Sequence, residues 1–163
     1  MNSSILTTHV GSLPRSKELS ELLFAKDKKE TFNEKTFEFE VKKNVENVVK
    51  KQLEVGIDII SDGEMSKISY ATYIKDRLKG FSGESERKAP ADLDAFDEYK
   101  IKIAKSGGTP TYVRPCCTSE LEIQDEESLK LDIKNFTDSL KKFNHTDGFM
   151  NSASPGVINI FMP

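Results

Sequence analysis

Cysteine is scarce in this chain, whose two thiols, Cys116 and Cys117, stand side by side. Adjacent cysteines cannot staple distant segments, so nothing in them argues for an oxidising compartment. Long apolar runs are missing as well. No stretch approaches the roughly 18 apolar residues of a membrane span, and Met1-Asn2-Ser3-Ser4 lacks the basic-then-apolar layout of a signal peptide. A cytoplasmic location is the default expectation. A basic excess is also absent: 24 Lys and Arg stand against 27 Asp and Glu, for a net charge of −3, and the cations are scattered along helices rather than gathered into a stripe. That argues against a nucleic-acid partner. Zinc spacings of the Cys-x-x-Cys, His-x-Cys or His-Glu-x-x-His kind do not occur. Ser106-Gly107-Gly108-Thr109 lacks both the lysine and the strand-then-helix setting of a phosphate loop.

What remains is a chain of 163 residues, 36% hydrophobic and 31% charged, which suits one folded domain with a core of its own. Its centre is Gly56-Ile57-Asp58-Ile59-Ile60-Ser61-Asp62-Gly63-Glu64-Met65. The β-branched run 57–61, bounded by glycines, reads as a buried strand that ends in two carboxylates. Ile68, Ala71, Ile74 and Leu78 follow at helical spacing, which predicts a helix over 65–78 and puts Asp62 and Glu64 in a βα loop. Parallel α/β proteins keep their sites in such loops.

Upstream, residues 5–8 read as a first strand running into His9-Val10-Gly11-Ser12-Leu13-Pro14-Arg15, and Ser16 caps a short helix carrying Leu19, Leu22 and Leu23. Val41, Val45, Val48, Val49 and Leu53 define an amphipathic helix over about 38–54, with Lys42, Lys43, Lys50 and Lys51 on its wet side. Downstream, a charged excursion spans about 81–105, in which 99–104 has the look of a short strand or turn, and 111–117 reads as a third strand. Leu129, Ile133, Phe136, Leu140 and Phe143 mark the clearest helix, beginning near Asp125 with acids in its first turn and Lys141 and Lys142 in its last. Residues 148–153 read as a fourth strand, and Ser154-Pro155 as the cap and first position of another helix.

This order describes four βα units of a parallel architecture, half of an eight-stranded barrel. Two arrangements accommodate it: a small open sheet, or the N-terminal part of a longer polypeptide. The helix begun at Pro155 favours the second. A half-barrel exposes strand edges, so self-association is expected.

Polar groups recur at the successive strand ends: His9 and Ser12, then Asp62 and Glu64, then Cys116, Cys117 and Thr118, then Ser152 and Ser154. In a parallel sheet these ends share a face. Each also has a plainer reading. Ser12 and Ser154 suit turns or caps, Asp62 beside Gly63 suits a turn, and Glu64 suits a helix start. His9 fits a ligand, a base or a loop histidine bonded to backbone. The cysteines alternate along a strand, so one faces the site and the other packs inside.

The same loops resemble the cobalamin-independent methionine synthases, and more closely their shorter single-barrel relatives. The likeness lies in 7–15 (Thr-Thr-His-Val-Gly-Ser-Leu-Pro-Arg), in 56–58 with Asp62-Gly63-Glu64, in 112–118 (Tyr-Val-Arg-Pro-Cys-Cys-Thr), and in Phe149-Met150 with Ala153-Ser154-Pro155-Gly156. The resemblance implies a TIM barrel that transfers a methyl group from 5-methyltetrahydrofolate, as a polyglutamate, to the thiol of homocysteine, without cobalamin. It also implies a zinc ion that holds the thiol, of ordinary pKa about 8.5, as thiolate at neutral pH. Carried over, Ser12 in the Gly11-Ser12 turn binds the amino-acid carboxylate, Glu64 takes the ammonium, and Asp62 and His9 line the same mouth. The family's zinc ligands lie on later strands, beyond residue 163, and Cys116 and Cys117 do not match them. The expectation is therefore that the chain as it stands holds no metal and is inactive. Two other readings keep parts of this pattern: a related barrel that alkylates a different thiol, and a non-catalytic remnant that binds without the metal half.

Overall fold

The computed structural model describes residues 5–69, 72–83, 91–93, 95–105 and 116–159. Helix α1, Lys17–Asp27, starts where Ser16 accepts a hydrogen bond from the Leu19 amide at 3.1 Å, as the sequence predicts, and it buries Leu19 and Leu23. Helix α2, Glu34–Glu54, begins four residues earlier than its apolar stripe implies, because Asn33 caps it by accepting from the Thr36 amide at 3.0 Å. Val41, Val45 and Val49 are buried on α2, while Lys42, Lys43, Lys50 and Lys51 face water.

Strand β1 is only Ile60–Ser61, shorter than the 57–61 run that suggests it. It pairs in parallel with β4, Gly148–Phe149, through Ile60 with Gly148 and Ser61 with Phe149. On its other side the expected first strand is reduced to a parallel bridge between Thr8 and Ile59. Gln52 compensates for the shortness of the ladder. Its side chain accepts from the Ser61 amide at 3.0 Å and donates to the Ser61 carbonyl at 2.8 Å, so the end of a buried strand keeps its backbone partners.

The helix expected over 65–78 does not form. Glu64 adopts a left-handed backbone (φ +56°) after Gly63 (φ +63°), and Met65 and Lys67, two apart, are both buried. Among the described residues of this stretch the only helix is a 3₁₀ segment at Thr72–Asp76, which leads into strand β2, Leu78–Ser82. Strand β3, Cys116–Ile123, pairs with β2 in antiparallel register, Leu78 with Ile123 and Ser82 with Cys116. Residues 111–115 of the expected third strand lie outside the described residues. The cysteines that were to end that strand instead begin β3, which belongs to this ribbon and not to the parallel sheet. Both are half-exposed, so neither packs in the core. Residues 99–104 are helical, within α3, Asp97–Lys105.

Helix α4, Glu127–Lys142, has the predicted period and a partly different buried face. Phe136 and Leu140 are buried with Asp132, Asn135 and Ser139, whereas Leu129 and Ile133 are about half exposed. A short helix α5, Pro155–Asn159, opens at Ser154, whose hydroxyl accepts from the Val157 amide at 3.3 Å. The core joins α1, α2, β1 and α4 through Leu19, Val45, Val49, Ile60, Met65 and Phe136. The arrangement is mixed α/β, with helices α2 and α4 packed together beside the parallel strands. Among the described residues no helix is long and apolar enough to cross a membrane.

Candidate functional site

The turn after β1 and the loop after Thr8 are stitched together by backbone and side chain. The Leu13 amide donates to the Gly63 carbonyl at 3.0 Å. A Cβ on Gly63 would lie 3.1 Å from the Leu13 Cβ and 2.9 Å from the Met65 Cε, so the close approach and the positive φ both select glycine there. Arg15 donates from Nη2 to the carbonyls of Glu64 at 2.8 Å and Lys67 at 2.6 Å, which pins the turn that carries Glu64 in its left-handed conformation. Burial pulls the Arg15 pKa down, opposed by the carboxylates of Glu64 and Asp62.

Glu64 is 2% exposed, and its two oxygens are taken by neutral donors from two other segments. Ser12 donates its hydroxyl to Oε2 at 2.5 Å, and Asn151, two residues past β4, donates its amide to Oε1 at 3.0 Å. Asp62 turns back to accept from the Glu64 amide at 3.1 Å and faces the Lys67 ammonium at 3.6 Å. Lys67 is itself 4% exposed. Two carboxylates, Asp62 and Glu64, thus lie among two cations, Arg15 and Lys67.

Three of the expected convergence points meet here: the loop holding Gly11 and Ser12, the Asp62–Glu64 turn, and the end of β4. The β4 contribution is Asn151 and not Ser152 or Ser154, both of which are exposed. His9 is half-buried, and its buried Nε2 makes no hydrogen bond among the described residues. Cys116, Cys117 and Thr118 sit on the ribbon, where Thr118 bonds Ser82 at 2.8 Å, outside this cluster. Arg15, Lys67 and Asn151 were not singled out from the sequence. Their hydrogen bonds here join segments 49 to 87 residues apart, which no local pattern marks, although Lys67 also faces Asp62 five residues before it.

Beyond Lys67 a second polar group links β2's approach to α4. Lys67 lies 5.3 Å from the Tyr73 ring centroid, Tyr73 donates to Asp132, and Arg77 donates to Tyr73 Oη at 2.6 Å and pairs with Asp125 at 2.5 Å. Burial first, then the nearby Asp132 charge, pushes the Tyr73 hydroxyl well above its usual range, and burial also raises Asp132. A cavity of about 210 Å³ beside α2 and α4 is lined by Phe37, Val41, Arg77, Asp132 and Asn135 and includes none of Ser12, Asp62, Glu64 or Asn151. Among the described residues no three His, Cys, Asp or Glu side chains are grouped to hold a metal ion.

A family model described as "Cobalamin-independent synthase, Catalytic domain" matches residues 5–95, more than half of the chain. The 5-methyltetrahydropteroyltriglutamate–homocysteine methyltransferase of Bifidobacterium longum (strain NCC 2705) is 35% identical over 75 residues, which are 46% of this chain and 10% of the relative. The enzyme of the same name from Buchnera aphidicola subsp. Schizaphis graminum (strain Sg) is 32% identical over 76 residues, with the same coverage. Among solved structures, a B12-independent methionine synthase from Shewanella sp. W3-18-1 in complex with selenomethionine superposes with a TM-score of 0.61 at 19% identity, over 96% of this chain and 40% of that one. At that identity the superposition speaks for the fold. The matched region spans about a tenth of the curated relatives' length.

Proposed function

Because the chain belongs to the cobalamin-independent synthase family by its catalytic-domain match, we propose that it is the N-terminal half of a methionine-forming methyltransferase barrel, about four βα units long, whose polar mouth grips an amino acid. The observation that carries this reading is Glu64: a buried carboxylate held by two neutral donors, Ser12 and Asn151, where three separated segments meet. In the reading, the ammonium of homocysteine or methionine takes the place of the Ser12 hydroxyl on Oε2, and the freed hydroxyl turns to the carboxylate. The Gly11 backbone (φ +100°) lets the chain turn at that end, and His9 and Asp62 line the mouth. Homocysteine is the acceptor and a 5-methyltetrahydrofolate polyglutamate the donor in this proposal, with the reaction in the cytoplasm.

The residues described here do not fit the family's zinc. Cys116 and Cys117 lie on the ribbon, apart from Glu64, and no other donor group is assembled among the described residues. In this reading the chain by itself binds the amino acid and does not transfer a methyl group. The second reading, a module that binds an amino acid without catalysing, uses the same Glu64 cluster. Ile5, Leu6 and Val10, all exposed beside the Thr8 bridge, support self-association of the isolated chain.

Calorimetric titration with L-methionine tests the site. The wild-type chain binds, and Glu64→Gln, which removes one charge-assisted bond, weakens binding about 10- to 100-fold. A wild-type chain that binds no amino acid, or a Glu64→Gln variant that binds as well, overturns the reading.

A further inference from the structure

A buried ammonium needs partners, and those of Lys67 reveal an arrangement beyond simple neutralisation of Asp62. Its Nζ lies 3.6 Å from Asp62 Oδ2, a charge contact longer than a good hydrogen bond, while it donates to the Asn151 carbonyl at 3.2 Å. The same Asn151 donates its side-chain amide to Glu64 Oε1. Lys67 therefore holds the main chain of the residue whose side chain orients the site carboxylate. Other support for Asn151 is remote: the last paired residue of β4 is Phe149, two positions earlier, and α5 begins only at Pro155. The Tyr73 ring face lies 5.3 Å from the ammonium, measured to its centroid.

We propose that Lys67 is a positioning residue for amino-acid binding, tethering the end of β4 to the Asp62–Glu64 turn so that the Asn151 amide is aligned on Glu64. It rests on the reading of this mouth as an amino-acid site. The lysine touches no substrate. Its effect passes through Asn151 to Glu64 and so reaches only the part of a ligand that Glu64 holds, its ammonium.

That selectivity separates positioning from general support. Lys67→Met keeps the apolar stem and removes the charge and the donor. L-Methionine and its desamino analogue, 4-(methylthio)butanoate, are titrated against both chains. The variant is expected to bind methionine about tenfold more weakly while its affinity for the desamino compound stays within about twofold, and Lys67→Arg recovers most of the loss. Equal weakening for both compounds, or for neither, overturns the proposal. A ligand-free readout runs alongside: the Asn151 side-chain amide resonances, displaced in the wild type by the carboxylate, move toward solvent-exposed positions in Lys67→Met. Unmoved resonances overturn it as well. If the wild-type chain binds neither compound, the amino-acid reading has failed, and the amide resonances alone decide whether Lys67 aligns Asn151. Should Lys67→Met not fold, Asp62→Asn/Lys67→Met leaves no lone buried charge and is read by the same resonances.

Discussion

The two strand pairs of this chain differ in almost every respect that governs stability. The parallel pair β1–β4 has two residues in each strand, and β1 is wholly buried. The antiparallel ribbon β2–β3 has five and eight residues, and most of their side chains are half or fully exposed. Ladder length would rank the ribbon first. Burial reverses that order, because apolar area removed from water stabilises far more than exposed ladder bonds that exchange with solvent. The short pair gains from what surrounds it: Val49 and Phe136 pack beside Ile60, and Gln52 supplies the backbone bonds missing at Ser61. The candidate cluster lies just past this pair, in the turn after Ser61 and at Asn151, two residues past Phe149.

The largest predicted difference comes from removing a packing partner of the parallel pair. Phe136→Ala leaves a void against Gly148 and should cost about 3–5 kcal/mol in denaturant unfolding. A cost near that of an exposed residue would break the comparison. Gly148→Ala attacks the same contact from the other side, since an added Cβ meets the Phe136 Cζ at 2.8 Å and the Ile60 carbonyl at 3.1 Å. Overpacking of this kind costs about 1–3 kcal/mol, and the displaced β4 should weaken methionine binding through Asn151. Gly80→Ala is the control in the ribbon: its Cβ would lie 2.6 Å from the Glu120 carbonyl at φ +93°. Hydrogen exchange should show that variant opening the ribbon amides while those of β1 stay protected. Simultaneous loss of both would mean that the two sheets unfold as one unit.

Asp125 sits at the joint between ribbon and core, following β3 and pairing with Arg77, which precedes β2. It also caps α4, accepting from the Ser128 amide at 3.0 Å and hydroxyl at 2.7 Å, and these bonds hold its carboxyl below the usual range. Asp125→Ala should cost about 0.5–2 kcal/mol at neutral pH. Because the folded-state pKa is depressed, this contribution is complete above the unfolded value of about 3.9 and disappears as pH falls through the folded one. Melting curves of the wild-type chain and variant should therefore converge on acidification. A gap that persists in acid would assign the loss to packing. The smallest effect belongs to the ribbon surface, where Lys79 and Glu122 pair at 3.3 Å with more than half of each side chain exposed. Replacing both by alanine should change stability by no more than about 0.5 kcal/mol, and a larger change would show that the ribbon contributes more than its burial implies.

Legibility in the sequence followed the same division. Ser16 as a cap, the wet lysines of α2, the helical period of α4 and the Ser154-Pro155 start are local signals, and all appear in the structure. The helix expected over 65–78 was misread because Ile68, Ala71, Ile74 and Leu78 mimic a helical stripe. The buried Met65 and Lys67 and the left-handed Glu64 demand a different path. Of the residues that meet around Glu64, Ser12, Asp62 and Glu64 itself are named in the sequence from their loops. Arg15, Lys67 and Asn151 are not, because their roles exist only once segments 49 to 87 residues apart are in contact.

By itself the order of residues determined the starts of α1 and α5, the wet lysines of α2, the helical period of α4, and that a carboxylate-bearing turn follows an apolar strand, since capping and periodicity act over a few residues. Only the tertiary structure decided which strands pair, that the cysteines join an antiparallel ribbon, and which donors surround Glu64. Those outcomes depend on burial. A buried charge takes its partners from whatever the fold brings within about 3 Å, and no local pattern encodes that distance.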